Sequence, residues 1–189
     1  MKANDPVNEA RILIIDDEPV NIRLLEMTLA DEAYRNVRGL TDPARAVEVY
    51  NEFHPDIILL DLHMPHVDGF EVMVRLRPVT PPDEFLPILV LTADISPEVK
   101  RRALGTGASD FVTKPFDTTE VLLRVKNLLT TRASHLRISN HNQILETMVA
   151  ERTAKLSDAN QRLRASQLET VDRLALAGEY RDDDTGLHT

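Results

Sequence analysis

Asp61 follows an unbroken apolar run, Ile57-Ile58-Leu59-Leu60, and precedes Leu62-His63-Met64-Pro65 and then Asp68-Gly69. Two more carboxylates, Asp16 and Asp17, follow Arg11-Ile12-Leu13-Ile14-Ile15. Thr92 ends the run Ile88-Leu89-Val90-Leu91, and Lys114 follows Asp110-Phe111-Val112-Thr113 and precedes Pro115. Apolar runs of this length read as strands, the central ones covered on both faces, and the Pro and Asp-Gly signals close the Asp61 strand. In an open α/β sheet the carboxyl ends of the strands form the ligand-binding edge. Adjacent carboxylates repel unless a cation sits among them, and hard oxygen donors suit Mg²⁺. A hydroxyl from Thr92 and an ammonium from Lys114 suit a phosphoryl group. The set spells a site for phosphoryl transfer onto a carboxylate.

The elements that must position these groups alternate along the chain. The first strand spans about 11–16, and Pro19 suits the first turn of a helix that runs to about residue 31. Its apolar face is read as Ile22, Leu25 and Leu29 together with Val20, Leu24 and Met27. Val37 to Leu40 is a short second strand. Asp42 is an N-cap with Pro43 at the first helical position, followed by Ala46, Val47, Val49, Tyr50 and Phe53. The central strand covers about 56–61, and a third helix carries Phe70, Val72, Met73, Val74 and Leu76 until Pro78. Strand four is 87–92, Ser96 and Pro97 open the fourth helix, and strand five is 110–113. Asp117 or Thr118 opens the fifth helix, with Val121, Leu122, Val125, Leu128 and Leu129. Alternation of this kind implies an α/β fold: a doubly wound parallel sheet with helices on both faces.

Residues 10–131 are identified as resembling the receiver domain of two-component response regulators. The resemblance rests on Asp16-Asp17, on Asp61 with Met64-Pro65 and Asp68-Gly69, on Thr92-Ala93, and on Lys114-Pro115-Phe116, all in order at strand ends. It implies a five-stranded flavodoxin-like sheet of order 2-1-3-4-5. It also implies that Asp61 accepts a phosphoryl group from a sensor histidine kinase or phosphotransfer protein. Mg²⁺ would be held by Asp16, Asp17, Asp61 and the backbone carbonyl of His63. Lys114 would pair with Asp61 and then with a phosphoryl oxygen, through a cis Lys114–Pro115 peptide. Thr92 and Phe111 would form the switch, and His63 and Asp94 would tune hydrolysis of the aspartyl phosphate. Phe111 stands where an aromatic swings inward, without a phenolic hydroxyl.

The composition narrows the setting. The chain has 189 residues, no Cys, and a formal net charge of −9. It can form one α/β domain of ordinary size plus a remainder of roughly 60 residues. Without Cys there is no disulfide framework and no thiol chemistry. The acidic balance disfavours nucleic acid as a partner. No apolar run approaches the ~20 residues of a membrane span, and the start lacks a signal-peptide pattern, so the expected compartment is the cytoplasm.

Beyond residue 131 the pattern changes. No Pro follows Pro115, and Gly is absent from 108 to 177. Helix formers dominate, so 132–178 reads as a helical linker. Ile138, Leu145, Arg152, Ala159 and Ser166 recur at one heptad position, and Asn142, Val149, Leu156 and Leu163 at the other. The spacing is that of a coiled-coil seam, read as a parallel homodimer through 138–174 with Asn142 fixing the register. The rhythm slips near Ser166 and resumes at Val171 and Leu174, a stutter. The fifth helix is expected to break near Ser134 before entering this seam. The final stretch, 179–189, resembles the opening of HD-GYP domains, which hydrolyse cyclic di-GMP. Asp184 and His188, four apart, would be two of that family's metal ligands. The remaining motifs of that domain are missing, so the chain is expected to be a truncation and not itself an enzyme. Two rivals are a structural adaptor with a silent receiver and a phosphohydrolase of the haloacid-dehalogenase type. The latter places its nucleophile in Asp-x-Asp after the first strand, which the Asp16-Asp17 pair does not match.

Overall fold

The computed structural model describes residues 9–81, 85–94 and 96–183, with side chains complete to residue 162. The chain divides into two units, Met1–Ser139 and Asn140–Thr189.

The first unit is built on five parallel strands: β1 (Arg11–Ile15), β2 (Asn36–Leu40), β3 (Ile57–Asp61), β4 (Ile88–Thr92) and β5 (Asp110–Thr113). Their order is β2-β1-β3-β4-β5, as the resemblance implies. Ile14 lies beside Leu59, Leu60 beside Val90, and Thr92 beside Thr113. Every residue of β3 and β4 is buried, whereas the edge strand β2 is largely open, which is why only central strands read as continuous apolar runs.

The connecting helices are α1 (Pro19–Asp31), α2 (Ala46–Phe53), α3 (Gly69–Leu76), α4 (Pro97–Thr106) and α5 (Thr118–Asp183). Strand side chains alternate between the faces of the sheet. Leu13, Ile15, Ile58, Leu60 and Val90 meet α2, α3 and α4, through residues such as Val49, Met73 and Ala103. Ile12, Ile14, Leu59, Leu89 and Leu91 meet α1 and α5, through Leu25, Leu29, Val121, Val125 and Leu129.

Local chemistry sets the helix starts. Asp68 Oδ1 accepts from Glu71 N at 2.7 Å, and Ser96 Oγ accepts from Val99 N at 3.4 Å. Asp42 accepts from Ala44 N at 3.0 Å, but Pro43–Arg45 form a 3₁₀ turn and α2 begins only at Ala46. Gly107, at φ +123°, ends α4 in a conformation that favours glycine.

Two expectations are corrected. On α1, Ile22, Leu25 and Leu29 are buried, but Val20 and Met27 are 74% and 69% exposed and Leu24 also faces outward. The apolar residues ring the helix, and only the i, i+3, i+7 row fits the sheet. The break near Ser134 does not occur. Ser134 Oγ donates to the Thr130 carbonyl at 3.0 Å without interrupting α5.

In the second unit, α5 continues and exposes Ile144, Leu145, Met148, Val149 and Leu156. Arg162 and Asp158 form an i,i+4 pair at 2.8 Å. The stutter near Ser166 falls where side chains are not described, and Asp184 and His188 lie outside the described residues. Among the described residues, no helix is long and apolar enough to cross a membrane.

Candidate functional site

Register places the ends of β1, β3, β4 and β5 along one edge of the sheet, so Asp16, Asp61, Thr92 and Lys114 converge there. Asp16 is fully buried and Asp61 nearly so. One carboxylate oxygen from each of Asp16, Asp17 and Asp61 lies within 4.8 Å of the other two. Their geometry and hard oxygen chemistry fit a small divalent cation.

Lys114 bridges two of the three carboxylates. Its Nζ donates to Asp16 Oδ2 and to Asp61 Oδ2, both at 2.8 Å. Its backbone is tied to the end of β4, where Lys114 N donates to the Thr92 carbonyl at 2.8 Å, and the Lys114–Pro115 peptide is cis, as the resemblance implies. Burial pulls the ammonium's pKa down, but the hydrogen bonds to Asp16 and Asp61 and their charges outweigh it, so the net direction is upward. The group therefore stays cationic at neutral pH.

Asp16 is over-determined. Its Oδ1 accepts from Glu18 N at 2.9 Å, and Asn21 Nδ2 donates to Oδ1 and Oδ2 at 3.0 Å each. Sequence reasoning missed Asn21. The available signal was its place in the first turn of α1, where a side chain points back to the β1–α1 loop. Asp16 thus shapes that loop as well as joining the cluster, and Glu18, the N-cap position of α1, makes no side-chain cap.

Asp61 Oδ1 accepts from His63 N at 3.2 Å, which turns the β3–α3 loop back over the carboxylate. Gly69 is required beside it. A Cβ there would overlap the Asp61 carbonyl oxygen and lie 2.9 Å from Leu62 Cα.

Thr92 is buried, and its Oγ1 accepts from Asp94 N at 3.1 Å. His63 Nδ1 lies 3.5 Å from the same hydroxyl. Asp94 Oδ1 accepts from Ser96 N at 2.8 Å. That bond, then the Ser96 side chain and the charge of His63, hold the Asp94 carboxyl below the usual range. Phe111 is half-buried and packs on the α2–α4 face, with the Lys100 ammonium 4.6 Å from its ring centre.

The structure therefore brings together Asp16, Asp17, Asp61, Thr92 and Lys114, with His63 and Asp94 at the rim. Phe111 lies on β5, three residues before Lys114 and beside Val90 of β4. The arrangement offers a buried nucleophilic carboxylate, an acidic cradle, a fixed cation and a hydroxyl.

The fold and this site define a phosphoryl-signalling class of α/β protein. A family model described as the response regulator receiver domain matches residues 12–126, and the chain belongs to that family. It is 31% identical over 184 residues to a probable cyclic di-GMP phosphodiesterase of Vibrio cholerae, covering 97% of this chain and 40% of the relative. It is 38% identical over 146 residues to the DNA-binding dual master transcriptional regulator RpaA of Synechocystis, covering 75% of this chain and 60% of the relative. The chain thus spans 40% and 60% of these two relatives. A crystal structure of a putative response regulator from Chloroflexus aurantiacus superposes with a TM-score of 0.59 at 33% identity, covering 65% of this chain and 98% of that one.

Proposed function

We propose that this chain is the phosphorylation-controlled input of a larger signalling protein, with Asp61 as the acceptor. The observation that carries the reading is the Lys114 ammonium held 2.8 Å from both Asp16 and Asp61 within a three-carboxylate cluster. In the proposed step an Asp61 oxygen attacks the phosphorus of a phosphohistidine on a sensor kinase or phosphotransfer protein. An O–P bond forms, the P–N bond breaks, and the donor imidazole leaves. Lys114 moves its pairing from Asp61 to a phosphoryl oxygen, and the Thr92 hydroxyl donates to another.

Asp16, Asp17, Asp61 and the His63 carbonyl are the proposed Mg²⁺ ligands. The ion would offset charge as an anionic donor meets three carboxylates. Thr92 and Phe111 are the proposed switch, a two-state element biased by contacts that exist only after transfer.

The reading extends along α5. Domain limits are proposed at 10–131 for the receiver, 132–178 for the linker and 179–189 for the start of the output. A parallel homodimer through 138–174 is supported by Ile138 and Leu156, 61% and 65% exposed at seam positions. A cyclic di-GMP phosphodiesterase output is supported by the alignment with the Vibrio relative, which covers 184 residues and takes in the linker. The proposed compartment is the cytoplasm.

The test is intact mass after incubation with a small acyl phosphate and Mg²⁺. Wild type should gain one phosphoryl group, and Asp61→Asn none. An equal gain in both removes Asp61 as acceptor. Sustained turnover of an aryl phosphate would favour the phosphohydrolase instead.

A further inference from the structure

The opposite edge of the sheet, at the amino ends of the strands, holds a second, partly buried ionic cluster. Its centre is Arg132 on α5, a charged side chain only 6% exposed. Arg132 Nε donates to Asp56 Oδ1 at 3.3 Å, and its Nη1 donates to the Phe85 carbonyl. Asp56 in turn ties two strand roots together: its Oδ2 accepts from Arg11 N at 2.9 Å, and its own N donates to the Arg11 carbonyl at 2.7 Å. A third root joins through Ile58 N, which donates to the Pro87 carbonyl at 3.0 Å. One helical turn along α5 from Arg132, the His135 ring stacks on Phe85, centroids 4.9 Å apart at 24°.

These contacts have a common geometry. Arg11 opens β1, Asp56 immediately precedes β3, and Phe85 lies just before β4. They are the strands whose far ends deliver Asp16, Asp61 and Thr92. A single arginine therefore grips, at their roots, the strands that carry the acceptor site. It does so from the helix that continues without interruption into the linker. An arginine fork buried against a carboxylate and a carbonyl fixes direction as well as distance.

We propose that Arg132, with Asp56, Phe85 and His135, is the joint that reads a shift of β1, β3 or β4 and passes it to α5. Arg132 is a positioning residue: it touches no reacting atom and acts through the strands. This rests on the receiver reading above. Two discrete arrangements of such a network would bias the helix root, as coupling between sites requires.

The test is hydrogen exchange of the full chain before and after phosphorylation by a small acyl phosphate with Mg²⁺, with intact mass recorded on the same samples. In wild type, exchange of α5 amides around 128–140 should change by about fivefold or more, the lower end of allosteric coupling. In Arg132→Met, and separately in the milder exposed-site variant His135→Ala, the mass gain at Asp61 should persist. The exchange response around 128–140 should fall below about twofold in Arg132→Met and be reduced in His135→Ala, relative to the coupling range above. Thermal unfolding identifies any variant that has not folded, and His135→Ala then decides. Overturning results are a wild-type response in both variants, or a phosphorylated wild type with unchanged α5 exchange. A wild type that gains no mass overturns the acceptor reading and the joint with it, and the mass record separates that outcome from the others.

Discussion

Lys114→Met removes a cation while keeping a side chain of similar length. Within the cluster one carboxylate oxygen from each residue lies within 4.8 Å of those of the other two. At an effective dielectric of about 20, two unit charges at that separation repel by about 3–4 kcal/mol. Lys114 offsets this with two bonds of 2.8 Å, and its side chain is 20% exposed. Breaking a buried ion pair costs about 3–5 kcal/mol, and the partial exposure argues for the low end, about 3 kcal/mol. The assay is urea unfolding at neutral pH in chelator, followed through Tyr34 and Tyr50, both buried in the first unit. The midpoint should fall with an unchanged slope. Adding Mg²⁺ should close part of the gap, because in the variant the ion would meet three carboxylates with no ammonium beside them. Tenfold tighter binding in the variant would recover about 1.4 kcal/mol at saturating ion. A loss below about 1 kcal/mol, the scale of a surface ion pair, would refute the idea that Lys114 is what holds the carboxylates together. An identical gap with and without Mg²⁺ would refute a shared site for the ion and the lysine.

Gly69→Ala should destabilise the first unit by about 1–3 kcal/mol, the range for overpacking, and lower acceptor phosphorylation, read by urea midpoint and intact mass. Asp94 has its pKa lowered, so its contribution is present above the ordinary carboxylate value of about 3.9 and is lost as pH falls through the lower folded value. The Ser96 amide should therefore titrate below that ordinary value by NMR and stop titrating in Asp94→Asn. Leu145→Glu with Val149→Glu should convert a dimer to a monomer by light scattering while leaving the unfolding of the receiver unchanged. A dimer that survives both charges places its interface elsewhere.

The apolar runs and the residues that end them made the sheet, its alternation and the converging groups legible from sequence alone. Strand order came from the family resemblance, because periodicity does not encode which strands are neighbours. The outward face of α1 was misread because Val20, Leu24 and Met27 also recur at helical spacing, and hydropathy alone does not say which row meets the sheet. The expected break at Ser134 is absent: its hydroxyl bonds back to the Thr130 carbonyl, a contact that often bends a helix, yet α5 runs on through it. Asp56 and Arg132 were invisible for another reason. They work through partners 45 and 76 residues away, respectively. No local pattern announces such pairs. Asn21, five residues from Asp16, differs: its place in the first turn of α1 was a local signal.

The alternation of side chains across the sheet has a consequence for how a signal can travel. Phe111 packs with α2, α3 and α4, whereas Val121, Val125 and Leu129 of α5 pack on the other side. The sheet is a wall between the residue proposed to move and the helix proposed to carry the message. Its central strands are buried and hydrogen-bonded on both edges, so they do not open to let a side chain through. Information must go around: over the rim where Lys114 bridges β1 and β3, beneath it where Arg132 grips their roots, or past the open edge of β5, the strand that carries Phe111 itself. A receiver of this build is a relay with doors at its margins and no window.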